Sequence, residues 1–133
     1  IDSIMTIAFA PEAFEGTGSG KGSITSGAYS VLSCGRFVLP KGGAPVFLEI
    51  NYNCNTSFNV GVVGFRADNT VEMQKVLITL IPTSGWNKVY LNMTDLVSSS
   101  SNAAVKFAVF FSMLHDTNLS TSYFYLDNVK LVH

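Results

Sequence analysis

Charge is scarce in this chain. Lys, Arg, Asp and Glu make up 13% of its 133 residues, about half the ~25% usual in globular domains. The 8 basic and 9 acidic residues leave a net charge of −1. A nucleic-acid surface needs a basic stripe, and polybasic docking on a membrane needs a lysine cluster; neither is available. No apolar run approaches the ~20 residues of a membrane-spanning helix. Only two cysteines, Cys34 and Cys54, and two histidines are present. They supply neither a CxxC pair nor a zinc spacing. The cysteines are then either two small buried hydrophobes or one disulfide, since Cys54 ends one expected strand and Cys34 lies in another. Helical periodicity is missing as well. Nowhere do ten residues hold a 3.6 period, which excludes a parallel βαβ sheet.

What fills the gap is uncharged and polar: 15 Ser, 10 Thr and 10 Asn, beside 47% hydrophobic residues. That balance is neither disordered nor fibrous. At this length, residues 1–133 form one domain able to bury about two-thirds of its surface. The chain opens at Ile1-Asp2 without Met, basic n-region or apolar h-region, and so reads as a mature segment whose signal has been removed. Three N-x-S/T sequons, at Asn55, Asn92 and Asn118, fall within chance for so Asn-rich a sequence.

Alternation dominates the pattern. Val46–Asn53 places Leu48, Ile50 and Tyr52 on one face and Phe47, Glu49, Asn51 and Asn53 on the other. Further strands are expected at Ser3–Phe9, Ala28–Leu39, Phe58–Arg66, Val71–Ile81, Trp86–Met93, Val105–Met113 and Ser122–Val132. Gly61 and Gly64 mark a bulge or a close backbone approach. Thr94–Val97 is at most one helical turn, and the glycine-rich run 16–23 reads as a loop. Short strands with turns every 8–12 residues give an all-β, antiparallel β-sandwich of jelly-roll type with seven to nine strands. Its expected core is Leu48, Ile50, Val60, Val62, Val89, Leu91, Phe107, Val109, Phe111, Phe124, Leu126, Val129 and Leu131. Val129 and Leu131 share the parity of Asp127, so burying them requires a one-residue bulge near Asp127-Asn128.

Catalytic sets are thin. The glycine-rich run fails as a phosphate loop, because Glu15 takes the first glycine position, Gly22 takes the Ser/Thr position, and no helix follows. His115 and Asp116 are sequence neighbours, which does not orient an imidazole on a serine, and no G-x-S-x-G occurs. Of nine acids only Glu49 and Glu72 lie well inside expected strands, a thin basis for paired glycosidic carboxylates. The chain is therefore expected not to be an enzyme. Trp86, opening a strand after a turn, either stacks on a sugar ring or covers the edge of the core, and the core edge is the expected role.

Two segments carry a resemblance. Gly85-Trp86-Asn-Lys-Val-Tyr-Leu-Asn-Met93 resembles the "GW-x-K-V-Y" strand of carbohydrate-binding-module-like (galactose-binding-like) jelly rolls. Tyr123-Phe-Tyr-Leu-Asp-Asn-Val-Lys-Leu131 resembles their closing "Y-hydrophobic-D-[DN]-V-x-L" strand. The whole is similar to ligand-binding-type domains of bacterial cell-surface lipoproteins. The resemblance implies an extracytoplasmic setting, secreted or anchored at the cell surface, and a carbohydrate partner. It also places Asp127 where such modules hold a structural calcium with N-terminal acids, here Asp2, Glu12 or Glu15. One carboxylate falls short of the 6–8 oxygens calcium takes, so no cofactor is expected beyond that candidate ion.

The expected ligand site combines Glu49, Asn51 and Asn53 with Asn59 of the next strand and Tyr123 and Tyr125 of the closing strand on one concave face. Flat rings beside amides and a carboxylate are what sugar hydroxyls and C–H faces require. The alternative function is that of a structural or protein-interaction domain. Phe47, Phe110, Tyr123 and Tyr125 on the non-core parity would then form a patch for a neighbouring domain or for self-association.

Overall fold

The computed structural model describes residues 4–6, 19–33 and 35–133. Along them run β1 (Ile4–Thr6), β2 (Ser19–Ile24), β3 (Ala28–Leu32), β4 (Phe47–Cys54), β5 (Phe58–Phe65) and β6 (Val71–Leu80). Then come β7 (Asn87–Asn92), α1 (Thr94–Ser99), β8 (Lys106–Leu114) and β9 (Ser122–Val132). The strands make two antiparallel sheets. In the first, β9 pairs β4 and β4 pairs β7, while β2 and β1 share the other edge of β9. The second runs β3-β8-β5-β6. This is the antiparallel β-sandwich of jelly-roll type that the alternation implies.

The inner parities of the two sheets meet in one cluster, which contains every expected core residue except Val89; that residue is half-buried against it. Burial on β4 alternates strictly, with Leu48, Ile50, Tyr52 and Cys54 inside. At the centre, the Phe124 and Phe58 rings stack 4.8 Å apart, and Phe111 tilts against both. Cys54 is a free thiol in this cluster, and burial pushes it up to about 11. Cys34 lies outside the described residues.

The bulge forms where parity demands it. Asn51 pairs Asp127 but Glu49 pairs Lys130, so β9 spends one extra residue there. Asn128 takes up the kink at φ 50°, a left-handed conformation that asparagine tolerates better than most residues. Beyond it, Val129 and Leu131 turn into the core.

Two expectations about local structure need correction. Residues 19–23 of the glycine-rich run are strand, not loop. β9 offers them an edge, and a Cβ on Gly22 would lie 2.7 Å from both the Phe124 and the Tyr29 rings, so the missing side chain lets β2 close over the core. The strand expected to reach Leu39 stops at Leu32. Beyond it the chain is held to β8 by backbone bonds at Ser33 and Phe37 and by the Ser33 hydroxyl, which accepts from the Val109 N–H at 3.1 Å.

β5 carries the register shifts that its glycines imply, at Val60/Gly61 and Gly64/Phe65. The Phe110 ring lies across Gly61, and a Cβ there would also come within 2.6 Å of the Lys75 carbonyl oxygen. Gly61→Ala is therefore expected to destabilise the fold by about 1–3 kcal/mol through overpacking. Urea unfolding checks this, and a midpoint equal to that of the parent would refute it.

Candidate functional site: the outer face of the five-stranded sheet

Cross-strand partners share a face, so the register maps the outer surface of the first sheet row by row. Asn53 of β4 pairs Tyr125 of β9, which pairs Lys21 of β2. Asn87 pairs Tyr52, and continuing that register by one residue brings Trp86 beside Asn53. The next row holds Lys88, Asn51 and Asp127, and the one after it Tyr90, Glu49 and Lys130. Tyr123 stands one step along β9 from Tyr125, beside Ser23.

The rings form a continuous strip. Trp86 and Tyr125 have centroids 6.4 Å apart, and Tyr125 and Tyr123 5.1 Å apart, edge to face. Trp86 is 51% exposed. It is thus no core-edge residue: Gly85, at φ 74°, turns the chain just before it, and its ring lies over the outer face. The polar rows are ordered too. The Lys88 ammonium sits 2.7 Å from the Glu49 carboxylate and 5.2 Å from the Tyr90 ring centroid. Hydrogen bonding to Glu49, then to Tyr90, holds that ammonium above the ordinary lysine range. Asn51 Oδ1 is shielded and has no hydrogen-bond partner among the described residues.

Five of the six expected ligand-binding residues share this face: Glu49, Asn51, Asn53, Tyr123 and Tyr125. Asn59 does not. After Cys54 the chain crosses to the other sheet, and Asn59 faces out on the opposite side of the sandwich. There its Oδ1 accepts from the Thr79 hydroxyl at 2.7 Å, and its amide lies 3.5 Å from the Ser112 hydroxyl. Phe110, expected beside Tyr123 and Tyr125, is also on that side, 6% exposed in a small cluster with Val63, Phe65 and Ala108. The apolar patch expected of a docking domain is therefore split between two faces.

The second face carries a groove. Hollows of about 310 and 340 Å³ adjoin at Ser30 and Ser112; the first is floored by Leu32, Val63, Phe65 and Phe110, and the second is bordered by Asn59 and Leu114. Phe65 and Phe110 are buried in it, Tyr29 at the second hollow is half-buried with its ring against Phe124, and the Arg36 guanidinium lies 3.9 Å over the Phe65 ring. Among the described residues the aromatic side chains that are exposed, Trp86 and Tyr90, both stand on the first face.

Asp127, the candidate calcium ligand, accepts from the Asn128 backbone N–H at 2.8 Å. Its expected partners Asp2, Glu12 and Glu15 lie outside the described residues. Among the described residues no group of three or more His, Cys, Asp and Glu side chains converges on a metal position.

One pairing escaped the sequence. Ser122 Oγ lies 2.9 Å from His115 Nδ1 and accepts from the Asp116 backbone N–H at 2.9 Å. Seven residues separate the two side chains, and only the loop's return onto β9 joins them. Ser122 is fully buried, and the Asp116 carboxylate accepts from the Asn118 N–H. The arrangement clamps the loop onto β9.

No protein-family model matches the chain, and no curated protein matches it. Solved structures do, among them carbohydrate-binding modules of families 4, 11, 16, 29 and 30. A family 11 module from Clostridium thermocellum, solved with a β-1,3-1,4-mixed-linked tetrasaccharide, superposes with a TM-score of 0.60 at 9% identity, over 98% of this chain and 82% of that one. The chain has the jelly-roll fold of carbohydrate-binding modules. The family 30 module of a C. thermocellum cellulosomal cellulase gives 0.60 at 11% identity, over 95% and 81%. The enzymatically active domain of bacteriophage CBA120 tailspike protein 4 gives 0.59 at 8%, with this chain covering 19% of it. Identities this low carry the jelly roll and nothing finer, so function rests on the face itself.

Proposed function

We propose that this domain is a non-catalytic, extracytoplasmic glycan-binding module, and that its site is the outer face of the five-stranded sheet. The strip of Trp86, Tyr125 and Tyr123 carries the proposal. C–H-rich sugar faces pack on such rings, and Asn53, Asn51, Glu49 and Asp127 beside them offer the donors and acceptors that hydroxyls pair with. The carbohydrate-binding neighbours in fold support the reading. The contacts are shallow and solvated, so binding of about −4 to −6 kcal/mol is expected, roughly the tens-of-micromolar to millimolar range. Screening on a glycan array with calorimetric follow-up tests it; silence across plant, host and microbial polysaccharides would overturn it.

A second reading, an accessory domain that docks a neighbour, draws on β6. This strand is a sheet edge with Val71, Val76 and Ile78 exposed, and unpaired edges invite partners. Light scattering on the purified chain and on mixtures with its neighbouring segments separates the two, because a strict monomer that binds no neighbour removes this reading alone.

A further inference from the structure

We propose that the sugar bound on this face is anionic and that Lys21 reads its charge, an inference resting on the glycan-binding reading above. The row Trp86, Asn53, Tyr125, Lys21 crosses four strands, about 14 Å at the usual inter-strand spacing, enough for a short oligosaccharide to lie along it. The tryptophan stands at one end and an ammonium at the other. Lys21 Nζ lies 5.4 Å from the Tyr125 ring centroid. Cation–π contact holds it at the edge of the stacking strip without neutralising it.

The two lysines that flank the strip are treated differently. The charge of Lys88 is met by Glu49, whereas among the described residues no carboxylate lies within ion-pair distance of Lys21. Among the described residues the nearest acid by register is Asp127, two residues from Tyr125 on the same face, in the row of Asn51 and Lys88. Across the described face three lysines, Lys21, Lys88 and Lys130, stand against two acids, Glu49 and Asp127. The chain as a whole has 8 basic and 9 acidic residues. A neutral sugar could take hydrogen bonds from the Lys21 ammonium but would leave its charge unmatched. A sugar bearing a carboxylate or sulfate at the edge of its stacked ring would pair with it, since lysine acts as a mobile point charge suited to either group.

Affinity electrophoresis and calorimetry on the intact chain test this with matched polymers: polygalacturonate and alginate against their carboxyl-reduced forms, and dextran sulfate against dextran. At low salt at least one anionic polymer is expected to bind roughly three- to tenfold tighter than its neutral counterpart, the scale of a partly exposed charged pair. The ratio should fall toward one at 1 M salt, where screening acts within about 3 Å. Lys21→Met should collapse the ratio, Lys21→Arg should keep it, and Lys106→Met, on the other sheet, should leave it as in the parent. Retention of carboxylate polymers alone names uronates as the source, and retention of dextran sulfate alone names sulfate. Binding that is equal within every pair, or a ratio that survives Lys21→Met, overturns the inference while the glycan reading stands. Failure to bind any polymer of either kind overturns the inference, and the glycan reading falls with it only if the array is silent as well.

Discussion

Trp86→Ala is expected to weaken glycan binding at least tenfold, about 1.4 kcal/mol or more, and to leave the melting temperature within about 2 °C of the parent. The asymmetry follows from where the ring sits. Half exposed and in contact with Tyr125, it adds little to the core, and substitutions at such positions usually cost within about 0.5 kcal/mol. Tyr125→Ala should lose binding at least as strongly, because Tyr125 touches Trp86, Tyr123 and Lys21 at once. Calorimetric titration with the tightest glycan from the array, paired with a thermal melt, reads both quantities. A Trp86→Ala protein that binds like the parent would move the site off this face, and the groove bordered by Leu32, Ser112 and Asn59 would be next to test. One that melts far below the parent would mean that the ring braces the β7 edge.

Phe124→Ala is expected to be the most damaging single core change, destabilising the domain by roughly 3–5 kcal/mol. Phe124 is fully buried, stacks on Phe58, tilts against Phe111 and receives the edge of Tyr29. It also lies under Gly22, so its loss removes the ring that β2 closes over. For a chain of this size the loss corresponds to a melting temperature lower by roughly 10–20 °C. Phe124→Leu, which keeps most of the volume, should recover more than half of the loss. Equal melting of the alanine and leucine proteins would show that the pocket collapses without a cavity, and the central role given to this stack would fall.

Much of the fold can be read from the order of residues. Alternation along β4 assigns Leu48, Ile50 and Tyr52 inward, and the same rule on β9 forces the kink at Asp127-Asn128 before any partner strand is known. Both follow from the period of two in an extended chain, a local property. The paired face of Glu49, Asn51, Asn53, Tyr123 and Tyr125 is legible for the same reason, once β4 and β9 are neighbours. Period two says which side of its own strand a residue occupies. It does not say which of two sheets the strand joins.

That choice misplaced Asn59 and Phe110, outward residues of strands that belong to the second sheet. It also hid the outward placement of Trp86, whose ring follows the turn at Gly85 and lies near Tyr125 two strands away. β2 was illegible because its glycines lack strand propensity, and only the free edge of β9 makes them a strand. The contact between Ser122 and His115 has no sequence signal, since loop return alone produces it. The sequence therefore determined the strands, their buried sides and the bulge, all set by local sterics and hydrophobic alternation. Only the tertiary structure decided which outward residues share a surface, because sheet membership depends on long-range pairing between backbones whose hydrogen-bonding groups are alike at every residue but proline.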